Sequence, residues 1–233
     1  MRCAAYWGGV NDVRAALNEV AGGIARAARL AGRAAGDVTL IAVTKTHPAE
    51  AVRPLLELGH RDYGENRVQE AAGKWPALRA EFPDARLHLV GQLQSNKAAD
   101  AVALFDAVHS VDRVSLLHAL ARAVDAAGRQ PELFVQVNIG DEPQKGGCAI
   151  ADVSALLARG RAAGLRLTGL MAVPPAGIEA APFFALLAKM AREEGLAGLS
   201  MGMSGDYQTA VMLGATHVRV GSALFGARES AAA

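Results

Sequence analysis

Eight times along this chain a short apolar, β-branched run gives way to a longer stretch whose apolar residues recur every three or four positions. The short runs read as buried strands and the longer stretches as amphipathic helices. The strand candidates are DVTLIAVTK (37–45), HRDYGEN (60–66), RLHLVGQL (86–93), DAVHSVD (106–112), PELFVQVNIG (131–140), LRLTGLMAV (165–173), LAGLSMGMS (196–204) and THVRVGSALFG (216–226). Strands that alternate with helices pair in parallel through right-handed crossovers. Eight such units close most naturally into a single parallel β/α (TIM) barrel. An open doubly wound sheet is the alternative, but no GxGxxG follows the first strand. One extra helix precedes the barrel, with Val13, Leu17, Val20, Ile24 and Ala28 on one face. Residues 10–229 are therefore expected to be the barrel, residues 1–9 an unstructured start and residues 230–233 a frayed tail.

The length of 233 residues suits one such barrel. A net charge of +1 and an aromatic content of 5% argue against nucleic acid or an anionic membrane as partner. Cys3 and Cys148 stand in no metal-binding or CxxC spacing, so a reducing, cytoplasmic setting is expected. The start becomes charged at once and does not read as a signal peptide, and no apolar stretch reaches the ~18 residues of a membrane span.

In a β/α barrel, chemistry sits at the C-terminal ends of the strands. Lys45 ends the first strand, Glu65 and Asn66 the second, and Asn138 the fifth. Met203, Ser204 and Gly205 follow the seventh; Arg219, Gly221 and Ser222 lie in or after the eighth. The last two loops of barrels often bind phosphate. Here they offer hydroxyls, close-approach glycines and backbone N–H groups, which favour an anion. A lysine amine near them suggests an aldehyde-bearing phosphate ligand, and it adds to an aldehyde only when neutral, which desolvation or a nearby cation promotes. Arg219 is either that cation or a group facing the ligand.

Other polar residues have plainer readings. His88 alternates with Leu87 and Leu89 and reads as a hydrogen-bonded structural histidine. Gln136 and Asn138 either line the pocket or satisfy one another inside the barrel. Glu65 is placed to pair with a neighbour such as Lys45 or Arg67. Ser95 and Asp112 read as helix N-caps. Cys148 has no visible base, and GDEPQKGG lacks the order of a phosphate-binding P-loop.

IAVTKTHPAEAV, DYGENRVQEAAGKW, HLVGQLQSNK, VNIGDEPQKGG, GLMAVPP and LSMGMSGDYQTAVMLGATHVRVGSALFGAR together resemble the pyridoxal phosphate homeostasis (YggS/PROSC) family. The likeness runs from about residue 38 to 228 and spans all eight strands. It implies a barrel of the alanine racemase N-terminal domain type that binds pyridoxal 5′-phosphate (PLP). Lys45 matches the lysine that carries the cofactor as a Schiff base, and Arg219 the arginine facing the pyridine nitrogen. Ser204, Gly205, Gly221 and Ser222 match the phosphate-binding positions, and Asn66 a polar residue beside the lysine and cofactor. His47 falls at a variable position and takes no role.

The resemblance implies a vitamin B6 carrier in the cytoplasm, holding PLP and passing it transiently to PLP-dependent apoenzymes. The alternative is a PLP-dependent amino-acid racemase; a cofactor-free Schiff-base aldolase is a third. An arginine at the ring nitrogen keeps its proton, which leaves a poor electron sink. Racemases also need a second base, a tyrosine from an additional β domain of a partner chain. The sequence closes soon after the eighth unit, so no such domain is expected, and Tyr6, Tyr63 and Tyr207 do not match that role. Without that dimer-forming domain a monomer is expected. No metal is implied.

Overall fold

A computed structural model describes residues 10–226. The expected unstructured start and frayed tail, with Cys3 and Tyr6, lie outside the described residues. Eight strands run in chain order: β1 Thr39–Val43, β2 Asp62–Glu65, β3 Arg86–Leu89, β4 Ala107–Val111, β5 Glu132–Gln136, β6 Leu167–Met171, β7 Gly198–Met203 and β8 His217–Val220. Each pairs in parallel with the next, and β8 pairs back onto β1 with Leu40 opposite Val218 and Ile41 opposite Arg219. The sheet is a closed barrel, as the strand–helix rhythm requires.

The helices are α1 Val10–Leu30, α2 Ala49–Glu57, α3 Val68–Glu81, α4 Ala98–Leu104, α5 Val114–Ala127, α6 Val153–Ala162, α7 Ala181–Glu193, α8 Tyr207–Met212 and α9 Ser222–Phe225. The last differs from expectation. Ser222–Phe225 continues an apolar run that reads as strand, yet β8 stops at Val220 and the chain turns into a four-residue helix. That helix is too short to cover the outside of β8. The preceding α1 supplies the cover, packing against α8, α9 and α2. Arg33, just past α1, donates from Nη1 to the Val211 carbonyl at 3.0 Å and ties this outer seam.

Alternation along the strands separates two layers. Residues such as Ala42, Leu87, Leu89, Val108, Leu133, Val135, Leu170, Leu199 and Val218 point outward into one continuous apolar core beneath the helices. The inward set is different in kind. With Ile41 and Phe134 it contains His88, His109, Ser200 and Arg219, all buried. Barrel lumens are usually filled by branched aliphatic residues, so this polar interior stands out.

One irregularity shapes the mouth. Between β7 and β8 the register runs Ser200 to His217 and then Met203 to Arg219, so β7 carries an extra residue. Gly202 takes it up with φ of 90°, a conformation few side chains tolerate. The bulge turns the end of β7 toward the loop after β8. Ser95 and Asp112 are not N-caps: Ser95 Oγ and Asp112 Oδ1 both accept from the Arg113 guanidinium, at 3.3 and 2.6 Å.

Candidate functional site

Lys45 lies two residues past β1, half-buried, on a loop held from below by α3. Thr46 next to it has φ of 66°, which is strained for a β-branched residue. Three contacts hold that conformation. The Thr46 N–H donates to Glu70 Oε1 at 2.5 Å, while Lys74 Nζ donates to the carbonyls of Thr44 at 2.8 Å and His47 at 2.9 Å. Lys74 is itself fixed, 2.6 Å from Glu65 Oε1. The same carboxylate oxygen accepts from Thr44 Oγ1 at 2.6 Å and Trp75 Nε1 at 2.9 Å. Glu65 therefore takes its ion pair from Lys74, a partner the local sequence did not suggest. His47 is not idle either: its ring stacks on Phe225 of α9 at 4.5 Å, joining the first loop to the last.

On the opposite side of the β1–β8 seam, Ser204 joins two loops. Its Oγ accepts from the N–H groups of Gly221 and Ala223, each at 3.3 Å. Asp206 closes the turn by accepting from the Met203 N–H at 2.6 Å. A cavity of about 450 Å³ opens beside these groups, lined by Ser204, Gly205 and Asp206, by Ala223 of α9 and by Glu19 and Val20 of α1. Gly221 faces the end of β1, where a side chain on it would touch the Val43 carbonyl oxygen. Ser222 begins α9 on the same rim. Asn66 packs its backbone against Gly91, where any side chain would collide with the Asn66 carbonyl. The loops after β1, β7 and β8 are thus drawn together, whereas Asn66 sits with the loop after β3.

Arg219 occupies the lumen below this rim, opposite Ile41 across the seam. It is 5% exposed. Nη1 donates to Ser200 Oγ at 2.6 Å and Nη2 to the Ala172 carbonyl at 2.9 Å. Burial lowers its pKa to about 10, with Asp206 opposing the shift, so the guanidinium stays charged at neutral pH. Behind it His109 and His88 form a hydrogen-bonded pair, 3.1 Å from Nε2 to Nδ1. His88 is a structural histidine as expected; His109, Ser200 and the lysine–glutamate pair under the Lys45 loop were not anticipated. Gln136 and Asn138 do not satisfy one another. Gln136 bonds Gln92 Nε2 at 2.7 Å, and Asn138 closes its own loop through Glu142 at 2.9 and 3.1 Å.

The donor set suits an anionic ligand. Backbone N–H groups and a hydroxyl lie along one rim, a charged guanidinium lies in the lumen below it, and a lysine stands at the neighbouring strand end. Among the described residues no cluster of His, Cys, Asp and Glu could hold a metal ion, and no helix is long and apolar enough to cross a membrane.

Residues 23–229 match the family described as alanine racemase, N-terminal domain. The pyridoxal phosphate homeostasis protein of Pseudomonas aeruginosa is 43% identical over 221 residues, covering 91% of this chain and 94% of that protein. The chain belongs to the pyridoxal phosphate homeostasis protein family. Its Escherichia coli member is 35% identical over 230 residues, 94% of this chain and 98% of its own. Among solved structures, PipY of Synechococcus elongatus with PLP bound is 41% identical with a TM-score of 0.76, covering 87% of this chain and all (100%) of PipY. An alanine racemase of Clostridium difficile, 15% identical with a TM-score of 0.72, shares the fold over 95% of this chain and 58% of its own.

Proposed function

We propose that this chain binds pyridoxal 5′-phosphate and serves its homeostasis, holding it covalently through Lys45 Nζ with the phosphate in the loops after β7 and β8. The observation that carries the proposal is the Ser204 bridge. One hydroxyl gathers the N–H groups of Gly221 and Ala223, at 3.3 Å each, into a cradle beside the lysine-bearing end of β1. The relatives' names, and the PLP bound to PipY, support the same ligand.

PLP supplies an aldehyde, an aromatic ring nitrogen and a dianionic phosphate. Lys45 offers the amine for the aldehyde. Ser204 and Ser222 offer hydroxyls and Gly205 a backbone N–H for the phosphate, while Gly221, whose N–H goes to Ser204 Oγ, orients that hydroxyl and lets the ligand approach closely. Arg219, charged and anchored by Ser200 and Ala172, has remaining N–H groups to donate to the ring nitrogen. It keeps its own proton, so that nitrogen stays unprotonated and general carbanion chemistry is disfavoured. We also assign Asn66, whose backbone packs on Gly91 after β3, as a polar residue toward the cofactor. We place the chain as a monomeric cytoplasmic carrier with PLP-dependent apoenzymes as transient recipients.

The test is borohydride reduction of the purified protein followed by peptide mapping. A reduced pyridoxyl adduct on Lys45, lost in Lys45→Ala, is expected. An adduct at wild-type level on another lysine overturns the assignment. Incubation with L-alanine should yield no appreciable D-isomer; rapid racemisation would turn the carrier into an enzyme.

A further inference from the structure

Five buried or half-buried side chains form an unbroken line through the barrel. Arg219 Nη1 lies 2.6 Å from Ser200 Oγ. Ser200 Oγ lies 2.8 Å from His109 Nδ1. His109 Nε2 lies 3.1 Å from His88 Nδ1, and His88 Nε2 lies 3.0 Å from Asp62 Oδ1. Ser200 is on β7 and His109 on β4, strands that are not neighbours in the sheet, so this contact crosses the lumen. The line therefore runs from Arg219 beneath the mouth to the first residue of β2 at the closed end. There the Asp62 side chain is 22% exposed and meets solvent.

The ends dictate the direction of every hydrogen bond between them. A carboxylate only accepts, so His88 Nε2 carries the proton that points at Asp62. A neutral His88 then accepts at Nδ1, which places the His109 proton on Nε2. His109 Nδ1 in turn accepts, and the Ser200 hydroxyl must donate to it. The remaining Ser200 lone pairs face Arg219, which only donates. One arrangement satisfies all five groups. Were His88 doubly protonated, His109 would flip tautomer and Ser200 would receive from both sides. Its own proton would then point into a fully buried site, with the cost of an unmade bond. Phe134 stacks on His109 at 4.4 Å and 8°, and His217 packs on both rings while bonding Thr216 at 2.8 Å, so neither imidazole can turn freely.

The direct anchors of Arg219 are a hydroxyl and a carbonyl, both neutral. A buried cation with such partners is costly. Hydrogen bonds aligned head to tail support one another, so the direction set by the Asp62 acceptor is held along the line. We propose that Asp62, His88, His109 and Ser200 are positioning residues forming a one-way relay that fixes the orientation of Ser200 and, through it, the plane of the Arg219 guanidinium. The consequence for ligand binding rests on the PLP reading above; the relay itself does not.

The test is nitrogen NMR of ¹⁵N-histidine-labelled full-length protein, with and without PLP. In the ligand-free wild type, His88 and His109 should both be neutral Nε2–H tautomers. Asp62→Ala should release His88 and shift the His109 tautomer populations, although it touches no atom bonded to His109. Asp62→Asn, which keeps an acceptor oxygen, should restore them. The visible band of bound PLP should move in Asp62→Ala and not in Asp62→Asn. A wild-type His109 protonated on Nδ1 overturns the relay without any variant having to fold. Unchanged His109 resonances in Asp62→Ala do the same. If no PLP binds at all, the functional proposal falls while the ligand-free spectra still decide the relay.

Discussion

Lys74 Nζ sits 2.6 Å from Glu65 Oε1, with the two side chains only 7% and 0% exposed, and it also holds the Thr44 and His47 carbonyls on either side of Lys45. All three ammonium protons are thereby used. This pair therefore sets the shape of the loop that presents Lys45, without itself reaching the rim. Lys74→Met would leave Glu65 buried with only Thr44 and Trp75 as donors. Breaking one side of such a pair costs about 3–5 kcal/mol, and urea unfolding should show a loss of that order. The Glu65→Gln/Lys74→Met double variant should lose less than the sum of the single changes. Strict additivity would mean that the two residues are not coupled.

The Ser204 cradle makes a second prediction, which separates the phosphate from the rest of the ligand. Ser204→Ala removes the hydroxyl that draws Gly221 and Ala223 together. Loss of one such contact should weaken PLP binding about tenfold, or ~1.4 kcal/mol. Pyridoxal, which lacks the phosphate, should bind the variant and the wild type alike. Absorbance titrations with both ligands measure the difference. An equal loss for the two would remove the phosphate from these loops.

How legible this molecule was in its sequence depended on the physical signal each part left behind. Helix and strand differ in apolar period, so the barrel could be read from the rhythm alone. Strand ends and the last strand offered Lys45, Ser204 and Arg219 as candidates, because in this fold chemistry sits at the C-terminal ends of the strands. The polar lumen left no such trace. Both faces of a parallel barrel strand are buried, so His109 in AVHSV and His217 in HVRV look like isolated polar residues in apolar runs. Only the inward phase they share with Ser200 and Arg219 could have linked them. Lys74 was hidden for another reason. It stands four residues after Glu70, at 3.8 Å, the spacing of an ordinary solvated helix pair. Nothing local says that its ammonium turns under the Lys45 loop.

Gly202 is the hinge of the mouth in a static sense. With φ of 90° and Ala210 and Tyr207 of α8 pressed against it, it has no room for a side chain. Gly202→Ala adds backbone strain of about 1–3 kcal/mol together with a clash against α8. A lowered denaturation midpoint is expected, with a larger relative loss of PLP affinity than of pyridoxal affinity because Ser204 moves with the bulge. A variant as stable as the wild type would mean that β7 can carry its extra residue elsewhere.

The histidines of the lumen fix the acid limb of stability. Burial holds the His109 pKa well below its ordinary 6.5, reinforced by His88, His217 and Arg219. His217 is pushed down to about 4, first by burial and then by His88, with Arg86 and Arg219 adding to the shift and Asp62 opposing it. Both are neutral in the fold and take up protons on unfolding below pH 6.5. The unfolded state then binds more protons, so stability rises with pH across that window and is lost as pH falls from 6.5 toward 4. Each histidine contributes a slope of up to about 1.4 kcal/mol per pH unit. Urea unfolding at pH 7.5, 6 and 5 should trace this decline. His217→Gln, which cannot take up the proton, should flatten the slope by about one proton's worth. An unchanged slope in that variant would show that His217 does not carry its share of the acid sensitivity.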